Sequence, residues 1–144
     1  MNKDCCLEIL VVEDEVGICD MTEYVAQGLG CLVYKAHTAS EGLEILKNNP
    51  HIRLGIFDYH LSEEPNKTSW SEGLGRSKEL LEDFQYFLIT GDLKVGLEDV
   101  QKYGALQVIH KPVTGEELQN LISDFIKSNR SKICSRKQQK CPNA

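Results

Sequence analysis

Five alternations of a short apolar run with a helical period predict an α/β fold, a doubly wound five-stranded parallel sheet with helices on both faces. Two further observations sharpen that expectation. The runs 9–12, 54–57 and 86–89 are almost unbroken in apolar character, as central strands buried on both faces are. Thr38-Ala39-Ser40-Glu41 and Thr114-Gly115-Glu116-Glu117 have the Thr-x-x-Glu form of a capping box, in which hydroxyl and carboxylate satisfy the orphan N–H groups of a helix's first turn.

Taken in order, LEILVV (7–12) is a buried-type strand, and Ile18, Met21, Val25 and Leu29, at steps of three and four, mark a helical face behind it. Gly28 and Gly30 end that helix. CLVYKA (31–36) is the second strand, and Thr38 caps a second helix backed by Leu43 and Leu46. LGIF (54–57) is the third strand, followed by a short helix around 74–81. YFLI (86–89) is the fourth, and Leu93, Leu97 and Val100 mark a helix closed near Gly104. LQVI (106–109) is the fifth strand. Thr114 then opens the clearest helical period in the chain, with Leu118, Leu121, Ile122, Phe125 and Ile126 on one face. Between third strand and third helix, SEEPNKTSWSEG (62–73) is polar, irregular and holds the single Trp; a loop of this length in a compact domain is often functional.

Composition narrows the function. The 144 residues, 41% hydrophobic and 26% charged, suit one globular domain, expected over 1–130, with a basic polar tail over 131–144. From Lys127 onward there are six Lys or Arg and no acid, which leaves ten basic against 22 acidic residues before it. A body of charge −12 disfavours direct DNA binding, because phosphate contacts need Lys and Arg. Lys3, Asp4 and Glu8 crowd the N-terminal apolar run and no run is long enough to span a bilayer, so a cytoplasmic protein without membrane insertion is expected. Cysteines at 5, 6, 19, 31, 134 and 141 include no CxxC pair, and the histidines are scattered. Free thiols in a reducing compartment fit better than zinc or disulfides.

In an open α/β sheet, ligands bind outside the carboxyl ends of the strands. The first strand delivers Glu13, Asp14 and Glu15 there, the third Asp58, the fourth Thr90, Gly91 and Asp92, and the fifth Lys111 before Pro112. Each alone has an ordinary structural explanation: an acid after a strand caps a helix, Thr-Gly-Asp is a common turn, and a Lys before Pro usually lies on the surface. Together they place carboxylates, a hydroxyl and an ammonium on one edge. Two close carboxylates repel by about 4 kcal/mol at an effective dielectric of about 20. A hard divalent cation, Mg²⁺ or Mn²⁺, offsets that repulsion and bridges to phosphate oxygens. Lys111 and Thr90 supply the positive charge and the hydroxyl that phosphoryl transfer requires, and Asp58 is the candidate nucleophile.

With Glu13-Asp14, Asp58, Thr90 and Lys111-Pro112 in this order on successive strands, the chain resembles the receiver domain of two-component response regulators over about residues 7–127. The resemblance implies a flavodoxin-like strand order of 2-1-3-4-5. It makes Asp58 the phosphoacceptor, served by a sensor histidine kinase or a histidine phosphotransfer protein. It implies Asp14 as a direct Mg²⁺ ligand, Glu13 as a ligand through water, and the His60 backbone carbonyl beside them. Lys111 would pair with the phosphoryl oxygens, Thr90 would bond one of them, and the bond before Pro112 would be cis.

Three departures stand out. The position three before Lys111, usually Tyr or Phe in this family, is Val108, so the aromatic part of the switch coupled to Thr90 is missing. The loop after Asp58 is longer than usual, and its Glu63, Glu64 and Trp70 either cover the site, read a partner, or form a tolerated insertion. His60 and Asp92 occupy positions that tune phosphoryl lifetime in the family. The expected function is a stand-alone regulator that docks a downstream protein target or relays the phosphoryl group to a histidine, catalysing no reaction beyond its own phosphorylation and dephosphorylation. Two alternatives remain open: a degenerate receiver that binds proteins without phosphorylation, and a phosphatase of the haloacid dehalogenase type. The latter begins with its nucleophile in an Asp-x-Asp motif, whereas here the acidic pair comes first and His60 stands two after Asp58.

Overall fold

The structure, a computed structural model, describes residues 7–59, 83–94, 96, 98, 104–130 and 133. Strands β1 (Glu8–Val12), β2 (Leu32–Ala36), β3 (Leu54–Asp58), β4 (Gln85–Thr90) and β5 (Ala105–His110) form one sheet. Every neighbouring pair is parallel, and the order is β2-β1-β3-β4-β5. The three strands with unbroken apolar runs are thus the three central ones. Helices α1 (Val16–Gly28), α2 (Ala39–Asn48) and a C-terminal helix (Gly115–Ser128) cover it. The helix expected around 74–81, the 62–73 loop, Leu97, Val100, His60, Cys134, Cys141 and nearly all of the basic tail lie outside the described residues.

Alternation along the strands divides the core in two. Ile9, Val11, Leu54, Ile56, Phe87, Ile89 and Ile109 meet Cys19 and Ala26 of α1 and Ile122, Phe125 and Ile126 of the C-terminal helix. On the other face Leu10, Val12, Phe57, Tyr86 and Leu88 meet Leu46 of α2. Burying each large aliphatic side chain contributes about 1.5–3 kcal/mol, which fixes strand register and hence which residues reach the sheet's edge. On the second face Phe57, Phe84 and Tyr86 stack with centroids 5.2–6.2 Å apart. Gly55 makes room for them: a Cβ there would lie 2.5 Å from Phe57 Cζ and 2.7 Å from Phe84 Cζ.

Both capping boxes form. Thr38 Oγ1 accepts from Glu41 N–H, Thr114 Oγ1 accepts from Glu117 N–H, and each glutamate returns a bond to the capping residue's N–H. α1 ends as a Schellman motif: Gly30 N–H bonds Gln27 O, Cys31 N–H bonds Ala26 O, and Gly30 takes φ 86°.

Three details differ from the sequence-based expectation. The centre of α1's buried face is Cys19, Thr22 and Ala26, with Val25 and Leu29 packed at its flank. Small side chains let the helix approach the sheet closely, so the large apolar residues mark the margin of the contact. Leu93 is 80% exposed in a turn after β4, before any helix begins. The β4–β5 register shifts between Tyr86 and Phe87 and skips Leu106, which is 37% exposed. A bulge of this kind breaks the apolar alternation that a regular strand would show.

Candidate functional site

The carboxyl edge of the sheet carries the site. Glu13 follows β1 directly; its N–H bonds Ala36 O, which carries the chain past the edge of β2. Its side chain is turned inward and buried, with Oε2 accepting from Glu15 N–H at 3.1 Å. Asp58 is the last residue of β3, held in register opposite Ile89 and only 3% exposed. Thr90 ends β4, fully buried. Lys111 follows β5; its N–H bonds Thr90 O at 2.8 Å, and its peptide bond to Pro112 is cis.

These placements bring one ammonium among three carboxylates. Lys111 Nζ lies 2.9 Å from Glu15 Oε2, 3.5 Å from Asp58 Oδ2 and 3.7 Å from Glu13 Oε2. Burial opposes the Lys111 charge, but the hydrogen bond to Glu15 and the charges of Asp58, Glu13 and Glu15 outweigh it, and its pKa stands above the ordinary lysine value. Glu13 goes the other way. Burial first, then a hydrogen bond with Asp58 and its charge, push the Glu13 carboxyl up to about 8. As a carboxylate, Glu13 has an oxygen, Oε1, that is buried and reached by no donor. Such an atom carries a desolvation penalty of about 1–3 kcal/mol, more when charged. A proton shared with Asp58 relieves it, and so would a cation.

Glu13, Asp14 and Asp58 each offer an oxygen, all within 4.8 Å of one another. An all-oxygen, carboxylate-rich set with an unsatisfied buried oxygen suits a hard divalent ion of the Mg²⁺ or Mn²⁺ class rather than zinc, which favours nitrogen and sulfur. The residues present therefore fit such a metal.

Of the other residues singled out from the sequence, Thr90 Oγ1 accepts from Asp92 N–H at 3.0 Å, and Asp92 Oδ1 accepts from Lys94 N–H at 2.9 Å. The Thr90 hydroxyl and the Asp92 carboxylate are both engaged by their own loop. Val108 is partly buried against the aromatic face of the sheet. Two contacts carry no signal in the sequence: that of Glu15, already expected at this edge, with Lys111, and that of His37 with Glu13. Glu15 makes the shortest bond to Lys111, although nothing in its spacing sets it apart from Glu13 and Asp14. His37 Nδ1 lies 2.9 Å from the Glu13 carbonyl oxygen, a contact made by the Nδ1–H form that ties the β2–α2 turn to the site. No sequence signal pairs residues so far apart. Cys19 and Cys31 are buried; burial raises the Cys19 thiol to about 11, so it is unreactive near neutrality.

Solved structures share this architecture. A response regulator receiver domain protein from Clostridium thermocellum superposes with TM-score 0.71 at 26% identity, over 86% of this chain and 97% of that one. A CheY-like response regulator receiver domain protein from Methanospirillum hungatei JF-1 gives 0.74 at 26% identity, over 88% and 98%. The chain has the fold of a response regulator receiver domain. The same receiver fold forms half of a larger neighbour, a probable two-component system response regulator/GGDEF domain protein (TM-score 0.72, 26% identity, 86% of this chain, 50% of that one). No family model and no curated protein matches the sequence. The receiver-type neighbours support a response regulator role. Among the described residues, no helix is long and apolar enough to cross a membrane.

Proposed function

We propose that this receiver accepts a phosphoryl group on Asp58 from a phosphohistidine donor, a sensor histidine kinase or a histidine phosphotransfer protein, in a Mg²⁺-dependent reaction. The observation that carries the reading is the meeting of Lys111 with buried Asp58 and Glu13 at the sheet's carboxyl edge. An Asp58 oxygen attacks phosphorus in line, the P–N bond breaks, and the imidazole leaves with the bonding electrons. The metal, held by Glu13, Asp14 and Asp58, would neutralise charge on the phosphoryl oxygens. Lys111 turns its ammonium to a phosphoryl oxygen, offsetting the charge of about −1.5 to −2 that the adduct adds. Thr90 releases Asp92 N–H to donate its hydroxyl to another oxygen, and this exchange of partners is the switching element. The receiver unit, read over 1–130, docks a downstream protein or passes the phosphoryl group to a histidine, working in the cytoplasm without DNA contact, and 131–144 is a basic extension whose Ile133 packs into the core beside the C-terminal helix.

The test is intact mass after incubation with Mg²⁺ and acetyl phosphate, beside Asp58→Asn. A metal-dependent phosphate adduct, lost in the variant, is expected. An unchanged mass with both acetyl phosphate and a phosphohistidine donor would leave a protein-binding module without phosphorylation.

A further inference from the structure

The strongest bond of the Lys111 ammonium goes to the carboxylate that belongs to neither the acidic pair nor the nucleophile. At 2.9 Å, Lys111 Nζ–Glu15 Oε2 is a full charge-assisted hydrogen bond, whereas 3.5 Å to Asp58 and 3.7 Å to Glu13 lie beyond that range. The three carboxylates also differ in freedom. The Asp58 and Glu13 side chains are 3% and 2% exposed and fixed by the ends of their strands, while that of Glu15 is 58% exposed at the rim. Glu15 is the member of the cage that can swing into water at small cost.

We propose that Glu15 is a positioning residue that holds the Lys111 ammonium off the phosphoryl site until phosphoryl oxygens displace it. The inference rests on the reading of Asp58 as phosphoacceptor. Lys111 must exchange one anionic partner for another as the adduct forms, so the resting Glu15 bond subtracts from what Lys111 contributes to the phosphorylated state. Exposed ion pairs are weak, and the expected effect of releasing this one is correspondingly modest, about two- to fivefold in affinity for a phosphoryl mimic. Glu15 would thereby tune phosphorylation without touching the phosphoryl group.

A second effect acts in the same direction and must be separated from it: a negative rim repels an incoming anion whether or not it touches Lys111. Glu15→Gln removes both charge and ion pair. Glu15→Asp keeps the charge but shortens the arm by a methylene, so the carboxylate no longer reaches Nζ.

The experiment measures beryllofluoride affinity at saturating Mg²⁺ for wild type, Glu15→Gln and Glu15→Asp, and follows the Lys111 Cε signal by NMR in ¹³C-lysine protein at fixed pH, assigned through Lys111→Arg. Both variants are expected to bind beryllofluoride about two- to fivefold more tightly, with the Lys111 signal displaced in each before the mimic is added. If Glu15→Asp binds like wild type, the effect is rim repulsion and the positioning role is overturned. Unchanged affinity in both variants overturns it equally, even where the Lys111 signal has moved. Failure of the underlying reading has a different signature. Wild type then takes neither beryllofluoride nor phosphate from acetyl phosphate, while the Lys111 signal still shows whether the Glu15 contact exists.

Discussion

The acids of the two capping boxes and the acids of the site are the same chemical groups in opposite circumstances. Glu41 Oε1 accepts from the N–H groups of His37 and Thr38 at 2.9 and 3.1 Å, on the surface. The His37 N–H, more than the opposing effect of desolvation, holds its carboxyl below the usual carboxylate range. Glu13 is buried beside Asp58, has an oxygen that no donor reaches, and is pushed up to about 8. His37 serves both: its N–H satisfies Glu41 and its ring holds the Glu13 backbone. The contrast separates acids that stabilise the fold from acids that burden it. A helix start supplies more donors than it can use, so a carboxylate there gains. Two carboxylates buried together repel each other, and a shared proton or a ligand that brings positive charge relieves the arrangement.

The contrast has a sign in pH. Glu41 binds its proton less readily when folded, so its contribution is complete above the ordinary carboxylate range and is lost as pH falls through the folded value. Glu13 keeps its proton in the folded chain up to about pH 8 but loses it near 4.5 when unfolded, so stability falls as pH rises between those values. A cation that replaces that proton binds more tightly as pH rises through the same window.

The largest expected effect is complete: Asp58→Asn abolishes the phosphate adduct while the fold, read by circular dichroism, is retained. Next comes Glu13→Gln, which mimics the protonated acid. At pH 8 and without metal it stabilises the protein by on the order of 2–3 kcal/mol in urea unfolding, and by little at pH 5. It also weakens Mg²⁺ binding at least tenfold, on the order of what one ligand carboxylate supplies. Equal destabilisation at both pH values would break the comparison. Thr114→Ala tests the other side. Losing the cap costs about 1 kcal/mol at every pH between 5 and 8 and leaves Mg²⁺ affinity unchanged. The smallest effect is that of Glu41→Gln, a slight loss of thermal stability at neutral pH that fades as the medium is acidified; a loss that grows on acidification would contradict the sign given above.

Legibility followed the range of the interactions. The caps at Thr38 and Thr114 form within four residues, so composition and spacing are sufficient to find them. The central strands β1, β3 and β4 were legible because burial on both faces demands continuous apolar runs. The face of α1 was misplaced because apolar periodicity weighs large side chains, whereas close packing on the sheet selected Cys19, Thr22 and Ala26. Leu93 misled for a related reason, because a turn interrupts a period that looks regular in one dimension; the fifth strand forms as read, with a bulge at Leu106 that spacing does not announce.

What the sequence by itself determined is the inventory: which residues strands of this type deliver to one edge, that the set holds carboxylates, a hydroxyl and an ammonium, and that the sheet is parallel with helices between. Tertiary structure decided how that inventory pairs. It turned Glu13 inward without a donor for Oε1, gave the Lys111 ammonium first to Glu15 at the rim, and left the Thr90 hydroxyl on Asp92. Those choices turn on differences of less than an ångström in contact distance, between residues up to 96 positions apart. Electrostatic energies at such separations are steep functions of contact distance and burial, neither of which is encoded by spacing along the chain.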